Sequence, residues 1–263
     1  MDSKKKKNII ILSILIIVFL VSTAFVVTYF VKQKNAENQY EEIKGKAKGN
    51  FEEKVKEQET EENTDNAKEE SPIDFEELWK TNEEIYAWIE IPGTDIDYPI
   101  AQRADDDAYY LNHTIEGTEG LPGSIYTEAI NSKNFTDFNT VIYGHNMKNG
   151  TMFAGLHKYE DKEFLKENPY IYVYLPDKTL KYQIFAAVVF DDRHMMHSFN
   201  YNTTEGRQEF LDELEAVRTM ESSYDDSITV GTDSNIITLA TCIGGQPDSR
   251  WLVEAVLIDD GAE

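Results

Sequence analysis

The chain has 263 residues, 41% of them hydrophobic, with 49 Asp/Glu against 25 Lys/Arg and a formal net charge of −24. That balance argues against nucleic acid as a partner, because phosphate binding relies on clustered cations, and a single cysteine rules out a disulfide framework within the chain. The acidity is uneven: residues 1–71 hold 12 Lys/Arg and 13 Asp/Glu, which leaves 13 and 36 for residues 72–263.

Four lysines, Lys4 to Lys7, stand in a short tail of residues 1–7, and residues 8–31 follow as an almost unbroken apolar run. As a helix those 24 residues would be about 36 Å long, enough to cross a bilayer. A cleaved signal peptide normally has an apolar region of only about 7–15 residues and a small-residue cleavage site. This run is longer and no A-x-A site follows it, so an uncleaved single-pass anchor is expected. Lys32 and Lys34 lie beyond it, but four charges in front outweigh two behind, and the positive-inside rule then puts the N-terminus in the cytoplasm and the rest outside the cell. Residues 32–71 are charged and poor in large apolar side chains, with too little to bury to offset the entropy of ordering. They are expected to form a spacer, in parts transiently helical because Glu, Lys and Gln favour helix.

From Pro72 onward aromatics become frequent, and residues 72–263 are expected to form one domain. Asp74 can cap a helix over 74–89 whose apolar positions suit one face. Short strands are predicted at 88–91, 97–100, 124–127, 140–143, 171–175, 180–190, 228–230, 236–242 and 251–258, separated by Gly, Pro and Asp turns. Many short strands of this kind indicate a mainly β fold, a barrel or a sandwich. Helical spacing interrupts the strands over 151–167 and 204–221.

The strand at 236–242 ends on Cys242, the only cysteine, and Arg250 stands directly before the last strand. A lone strand cysteine is most often a buried small hydrophobe. Outside the cell, however, an unpaired cysteine is either an intermolecular bridge or a reactive thiol. An ordinary thiol is only a few per cent ionised at pH 7, so a nucleophile needs a base or cation beside it. His145 ends the apolar strand Thr140-Val-Ile-Tyr-Gly-His145 and is the best-placed base.

Thr238-Leu-Ala-Thr-Cys242 resembles the TLxTC signature of sortases, Arg250 falls where their essential arginine lies, and Tyr143-Gly-His-Asn-Met147 resembles their histidine segment. The likeness extends to Trp88-Ile-Glu-Ile-Pro-Gly-Thr-Asp-Ile-Asp-Tyr-Pro-Ile100, Tyr109-Tyr-Leu-Asn-His113 and Gly123-Ser-Ile-Tyr126, which resemble early barrel strands of class B sortases, and it covers residues 74–260. The resemblance implies a closed β-barrel of about eight strands with an N-terminal helix and added helices between strands. It also implies a membrane-anchored cysteine transpeptidase of the Gram-positive cell envelope. Cys242 would attack the carbonyl between Thr and Gly of a C-terminal sorting motif on a secreted protein, and His145 would serve as acid and base. Arg250 would hold the substrate backbone or the oxyanion. The acceptor would be a peptidoglycan cross-bridge amine or a pilin lysine, and no metal or organic cofactor is required.

The family binds its peptide near the added helix, so Phe199 and Tyr201 are candidate substrate contacts, with core packing an equal alternative; Thr241 could place a hydroxyl or methyl against the substrate. His194 and His197 lack a visible third metal ligand. His113 and His157 read as structural, and Asp105-Asp-Asp107 reads as a solvated turn. Two other readings stay open. An L,D-transpeptidase-like wall enzyme also uses Cys, His and Arg, but it places a Gly-Cys pair and its histidine in one compact segment, whereas Ala240-Thr241 precedes this thiol and His145 lies 97 residues upstream. The other is a non-catalytic anchored β-domain that binds a surface partner.

Overall fold

The computed structural model describes residues 3–58 and 71–261, so residues 59–70 of the expected spacer lie outside the described residues. The chain divides into two compact units, Met1–Glu41 and Glu42–Glu263. A single helix, α1 (Ser3–Gln58), contributes to both. Over residues 9–31 it is apolar all round: Ile10, Leu15, Phe19 and Phe25 are all well over half exposed. Its most apolar 18-residue window averages 3.1 in hydropathy, and the helix is long and apolar enough to cross a membrane. Three of its polar interruptions are satisfied inside the helix. The hydroxyls of Ser13, Thr23 and Thr28 donate to the carbonyls of Ile9, Phe19 and Ala24 at 2.8–2.9 Å.

In the second unit residues 43–48 of α1 are not a free spacer. Ile43 and Ala47 are fully buried. Lys44 lies 2.7 Å from Asp97, and Lys48 lies 2.8 Å from both Asp97 and Glu90. Burial works against ionisation of Asp97, but hydrogen bonds from Lys44, Lys48 and Trp88 outweigh it and hold its carboxyl below the ordinary range. Low apolar content over 32–71 conceals this contact, because two small apolar groups and two lysine stems suffice to cover one patch.

Among the described residues nine strands form one sheet in the order β5-β1-β2-β3-β4-β8-β9-β6-β7, and a further β5–β6 pairing closes eight of them into a barrel. The strands are β1 (Ile85–Glu90), β2 (Asp97–Ala101), β3 (Ile125–Thr127), β4 (Asn139–Tyr143), β5 (Tyr170–Tyr174), β6 (Thr179–Asp191), β7 (Ser223–Tyr224), β8 (Ile236–Ile243) and β9 (Gln246–Asp259). Closure leaves those eight without an open edge, and only the two-residue β7, paired to β6, stands outside the ring. Helices α2 (Phe75–Thr81), α3 (Lys162–Glu167), α4 (Met195–Ser198) and α5 (Thr204–Ala216) are added outside the strands.

Three local expectations are corrected. The helix capped by Asp74, whose Oδ1 accepts from Glu77 N at 3.0 Å, ends at Thr81 instead of residue 89. Asn82 breaks it by donating from Nδ2 to Tyr110 Oη and Ile115 O, and Trp88 becomes part of β1. The helix expected over 151–167 is two pieces, a 3₁₀ segment Phe153–Glu160 and then α3, because Asp161 caps a new start with its side chain on Glu163 N. Residues 228–230 form no strand; Ile228 and Val230 pack on the core cluster while Ser223–Tyr224 takes the pairing with β6.

Glu254 of β9 is fully buried. Its Oε2 lies 2.8 Å from Thr238 Oγ1, which lies 3.0 Å from Asn139 Oδ1, and its Oε1 has no partner among the described residues. One hydroxyl proton cannot serve two acceptors, so the chain of contacts is satisfied when protonated Glu254 donates to Thr238 and Thr238 donates to Asn139. Burial pushes the carboxyl from 4.5 up to about 8, with Thr238 opposing. The folded state therefore holds a proton that the unfolded state releases between pH 4.5 and 8, and stability falls as pH rises through that window. The span corresponds to on the order of 5 kcal/mol at most. Glu254→Gln should flatten this loss, with a melting-temperature advantage over the wild type that grows from pH 5 to pH 9; thermal melts across that range would show parallel curves if Glu254 were not the source.

Candidate active site

Two strands that run parallel and one that runs antiparallel bring three chemical groups to one end of the barrel. Strand β4 pairs with β8 in parallel register, Tyr143 opposite Ala240, and Gly144 N donates to Ala240 O at 3.2 Å. Two residues further along that register, His145 stands level with Cys242, on the same side of their strands as Tyr143 and Ala240. Strand β9 is antiparallel to β8 with Arg250 directly opposite Cys242, and directly opposed residues share a face about 5 Å apart. A cavity of about 240 Å³ opens there, lined by Cys242, His145, Arg250, Tyr126, Tyr143 and Thr241 among others.

Cys242 is exposed, which sets aside the reading of a buried inert thiol. His145 is fixed by Nε2, 2.8 Å from Leu111 O. A carbonyl oxygen only accepts, so Nε2 carries the proton of that bond and Nδ1 is the basic nitrogen of the neutral ring. Glycine is needed on both sides of this histidine. A Cβ on Gly144 would stand 2.5–2.7 Å from Ile125 and Phe153 side chains, and Gly123, at φ +67°, would put one 2.7 Å from Leu111 O. Arg250 Nη1 donates to Pro247 O and Ser249 O at 2.8 and 2.9 Å, which ties it to the backbone at the start of its own strand, β9. Among the described residues it forms no ion pair, so its remaining donors are paired with no carboxylate described.

The walls differ in charge. Tyr126 and Tyr143 stack at 5.4 Å, and burial raises both phenols so that they stay neutral. Glu128 and Asp192 also line the cavity, and Glu128 Oε1 lies 2.9 Å from His194 Nε2. Burial raises the Glu128 carboxyl, with His194 opposing and Asp107 adding to the rise. Asp191 is held below its usual range by Arg193, which also reaches Glu213.

The other residues singled out from sequence separate. Thr241 lines the cavity, but its side chain is buried and its Oγ1 donates to Gly144 O at 2.8 Å, locking β8 to the histidine segment. Of the two aromatics expected as substrate contacts, Phe199 is in the core and Tyr201 packs half-buried against it. Phe199 is 6% exposed, and both rings pack on Phe210 of α5, at 5.4 and 5.5 Å. They line a different cavity from that of the thiol, because α5 needs aromatic cover on the side facing the barrel. His194 stacks on His197 at 4.2 Å. His113 is structural, with Nδ1 2.8 Å from Tyr109 O and its ring stacked on Tyr109. In the acidic triplet, Asp106 and Asp107 accept from the backbone of Ala108 and Ala129. Two residues at the site escaped the sequence: Asn146 and His157 both reach Cys242 O, at 2.9 and 3.1 Å. Only the adjacency of Asn146 to His145 could have signalled the first, and nothing in the sequence signals the second.

Comparison with known proteins agrees with this geometry. The sortase domain model matches residues 89–258. Sortase B of Listeria monocytogenes serovar 1/2a (strain ATCC BAA-679 / EGD-e) is 39% identical over 171 residues, which span 64% of this chain and 67% of that protein. The X-ray structure of Clostridium perfringens sortase B superposes with a TM-score of 0.63 at 30% identity, over 71% of this chain and all of that one. The Staphylococcus aureus sortase B–substrate complex gives 0.70 at 25% identity, over 87% and 99%. The closed eight-stranded barrel, the thiol at the end of β8 and these likenesses agree: this chain belongs to the sortase family, as a class B member, and is a cysteine transpeptidase.

Proposed function

We propose that Cys242 is the nucleophile, His145 the acid and base, and Arg250 the group that holds the substrate backbone and the oxyanion. The observation that carries this reading is the convergence of an exposed thiol, a half-buried imidazole and a guanidinium with no carboxylate partner among the described residues on one cavity. His145 Nδ1 takes the Cys242 thiol proton, the thiolate adds to the scissile carbonyl, and the negative charge that develops on oxygen meets the free donors of Arg250. The C–N bond then breaks as His145 gives its proton to the leaving amine, and a thioester remains on Cys242. An incoming amine attacks the thioester while His145 takes its proton; the C–S bond breaks and the thiolate returns.

The substrates on this reading are secreted proteins with a C-terminal sorting motif, and the acceptor is an amine of the wall cross-bridge or of a pilin lysine. The carboxylates of Glu128 and Asp192 on the cavity wall suit an approaching amine. The apolar part of α1 serves as a single-pass anchor, with the lysines at 4–7 in the cytoplasm and the barrel outside.

The test separates transfer from hydrolysis. When the full chain is incubated with a sorting-motif peptide library, an oligoglycine or hydroxylamine should speed product release and yield the amide or hydroxamate in place of acid. Without amine, an acyl-enzyme of matching mass should accumulate, and in His145→Ala neither should be seen above background. Mass spectrometry that found acid alone, at a rate indifferent to several amines, would remove the transpeptidation reading.

A further inference from the structure

The carbonyl of Cys242 is held by groups that the chemistry above does not use. Asn146 Nδ2 lies 2.9 Å from Cys242 O and 2.9 Å from His157 Nε2. His157 Nε2 is itself 3.1 Å from Cys242 O, and His157 Nδ1 is 2.7 Å from Glu160 Oε1. A carboxylate only accepts, so Nδ1 carries a proton; in the neutral ring Nε2 then accepts from Asn146, whose second N–H donates to Cys242 O. The reverse orientation of the Asn146 amide would set its oxygen against Cys242 O, which fixes the assignment. In the doubly protonated ring Nε2–H bonds Cys242 O directly. Either way the carbonyl keeps a donor.

The histidine itself stands on a rigid base. Its ring stacks on Trp251 at 5.9 Å with an interplanar angle of 20°. Trp251 is 2% exposed, donates from Nε1 to Leu156 O at 2.9 Å, and lies opposite Thr241 in the β8–β9 pair. The 3₁₀ segment that carries His157 is therefore tied to the strand next to the nucleophile.

We propose that His157, acting through Asn146 and braced by Glu160, is a positioning residue for Cys242. Strand register locks Cys242 on the Arg250 side, and the Thr241 hydroxyl locks the residue before it, but the β8–β9 ladder shifts register between Cys242 and Ile243. At that break the polar clamp replaces the ladder. Because the peptide is planar, holding Cys242 O also fixes the direction of the Ile243 N–H on the same plane and the orientation from which the thiol projects. A misplacement of about 1 Å at a reacting group can cost up to about a hundredfold in rate.

This inference rests on the active-site reading, and its test can fail separately. Since the chain has one cysteine, labelling with carbonyl-¹³C cysteine gives a single resonance, from Cys242, whose shift reports the hydrogen bonds on that oxygen. In the full chain in detergent, His157→Phe keeps a ring on Trp251 but removes both nitrogens. It should move and broaden that resonance and slow alkylation of Cys242 by iodoacetamide at pH 7.5 by about tenfold to a hundredfold. His157→Gln restores a polar group facing Asn146 and should recover most of both signals. Glu160→Ala, at an exposed side chain, should shift the resonance partway without lowering the melting temperature, and it carries the test if His157→Phe folds poorly. A reactive wild-type thiol together with an unmoved resonance and unchanged alkylation in folded His157→Phe, or in Glu160→Ala if that variant carries the test, would overturn the clamp. A wild-type thiol that resists iodoacetamide would instead overturn the active-site reading.

Discussion

Cys242→Ala should abolish thioester formation and lower peptide turnover by about 10⁴-fold or more, since loss of a covalent nucleophile removes the reaction path and not merely a contact to it. The side chain is exposed at the end of β8, so deleting one sulfur leaves no cavity, and the cost in stability should stay within about 0.5 kcal/mol. Chromatography of a cleaved sorting peptide, intact-mass analysis for the acyl adduct and a thermal melt give the three readouts. Turnover that survives with an unchanged melting curve would mean that the thiol takes no part in bond breaking.

Arg250→Lys should lose nearly as much activity as Arg250→Ala, about 10²–10³-fold in each. The guanidinium spends Nη1 on Pro247 O and Ser249 O and still has donors left for a substrate. An ammonium is a point charge on a flexible stem; it cannot hold the start of β9 and face an oxyanion at the same time. Steady-state kinetics on one peptide would separate the two possibilities. Near-normal kcat/KM in the lysine variant would show that charge alone at this position suffices.

The barrel strands were legible because each is a short run with its own apolar pattern, bounded by Gly, Pro or Asp. Eight of nine predicted strands are found, seven of them within about three residues of their expected ends, while the last starts five residues earlier than expected, at Gln246. The ninth, 228–230, has the same pattern, but its apolar groups cover the core without pairing. Apolar side chains specify burial, and burial is available to a loop as well as to a strand. Helix 74–89 failed for a related reason: the apolar spacing continued past Asn82, but the amide found partners on Tyr110 and Ile115, far along the chain.

Cys242, His145 and Arg250 were recognisable because each stands at the end of an apolar strand inside a distinctive local motif, and a motif is a property of neighbours in sequence. The lysine contacts of α1 with Asp97, the packing of Phe199 and Tyr201 on Phe210 of α5, and the hold of Asn146 and His157 on the Cys242 carbonyl have no such local signature. Each depends on which segments a closed barrel brings together. His157 and Cys242 are 85 residues apart and share a hydrogen bond only because Trp251 and the β8–β9 pairing set the 3₁₀ segment against the strand end. Periodicity records which face of an element is covered, whereas the identity of what covers it follows from the register of strands and is decided only when the sheet closes.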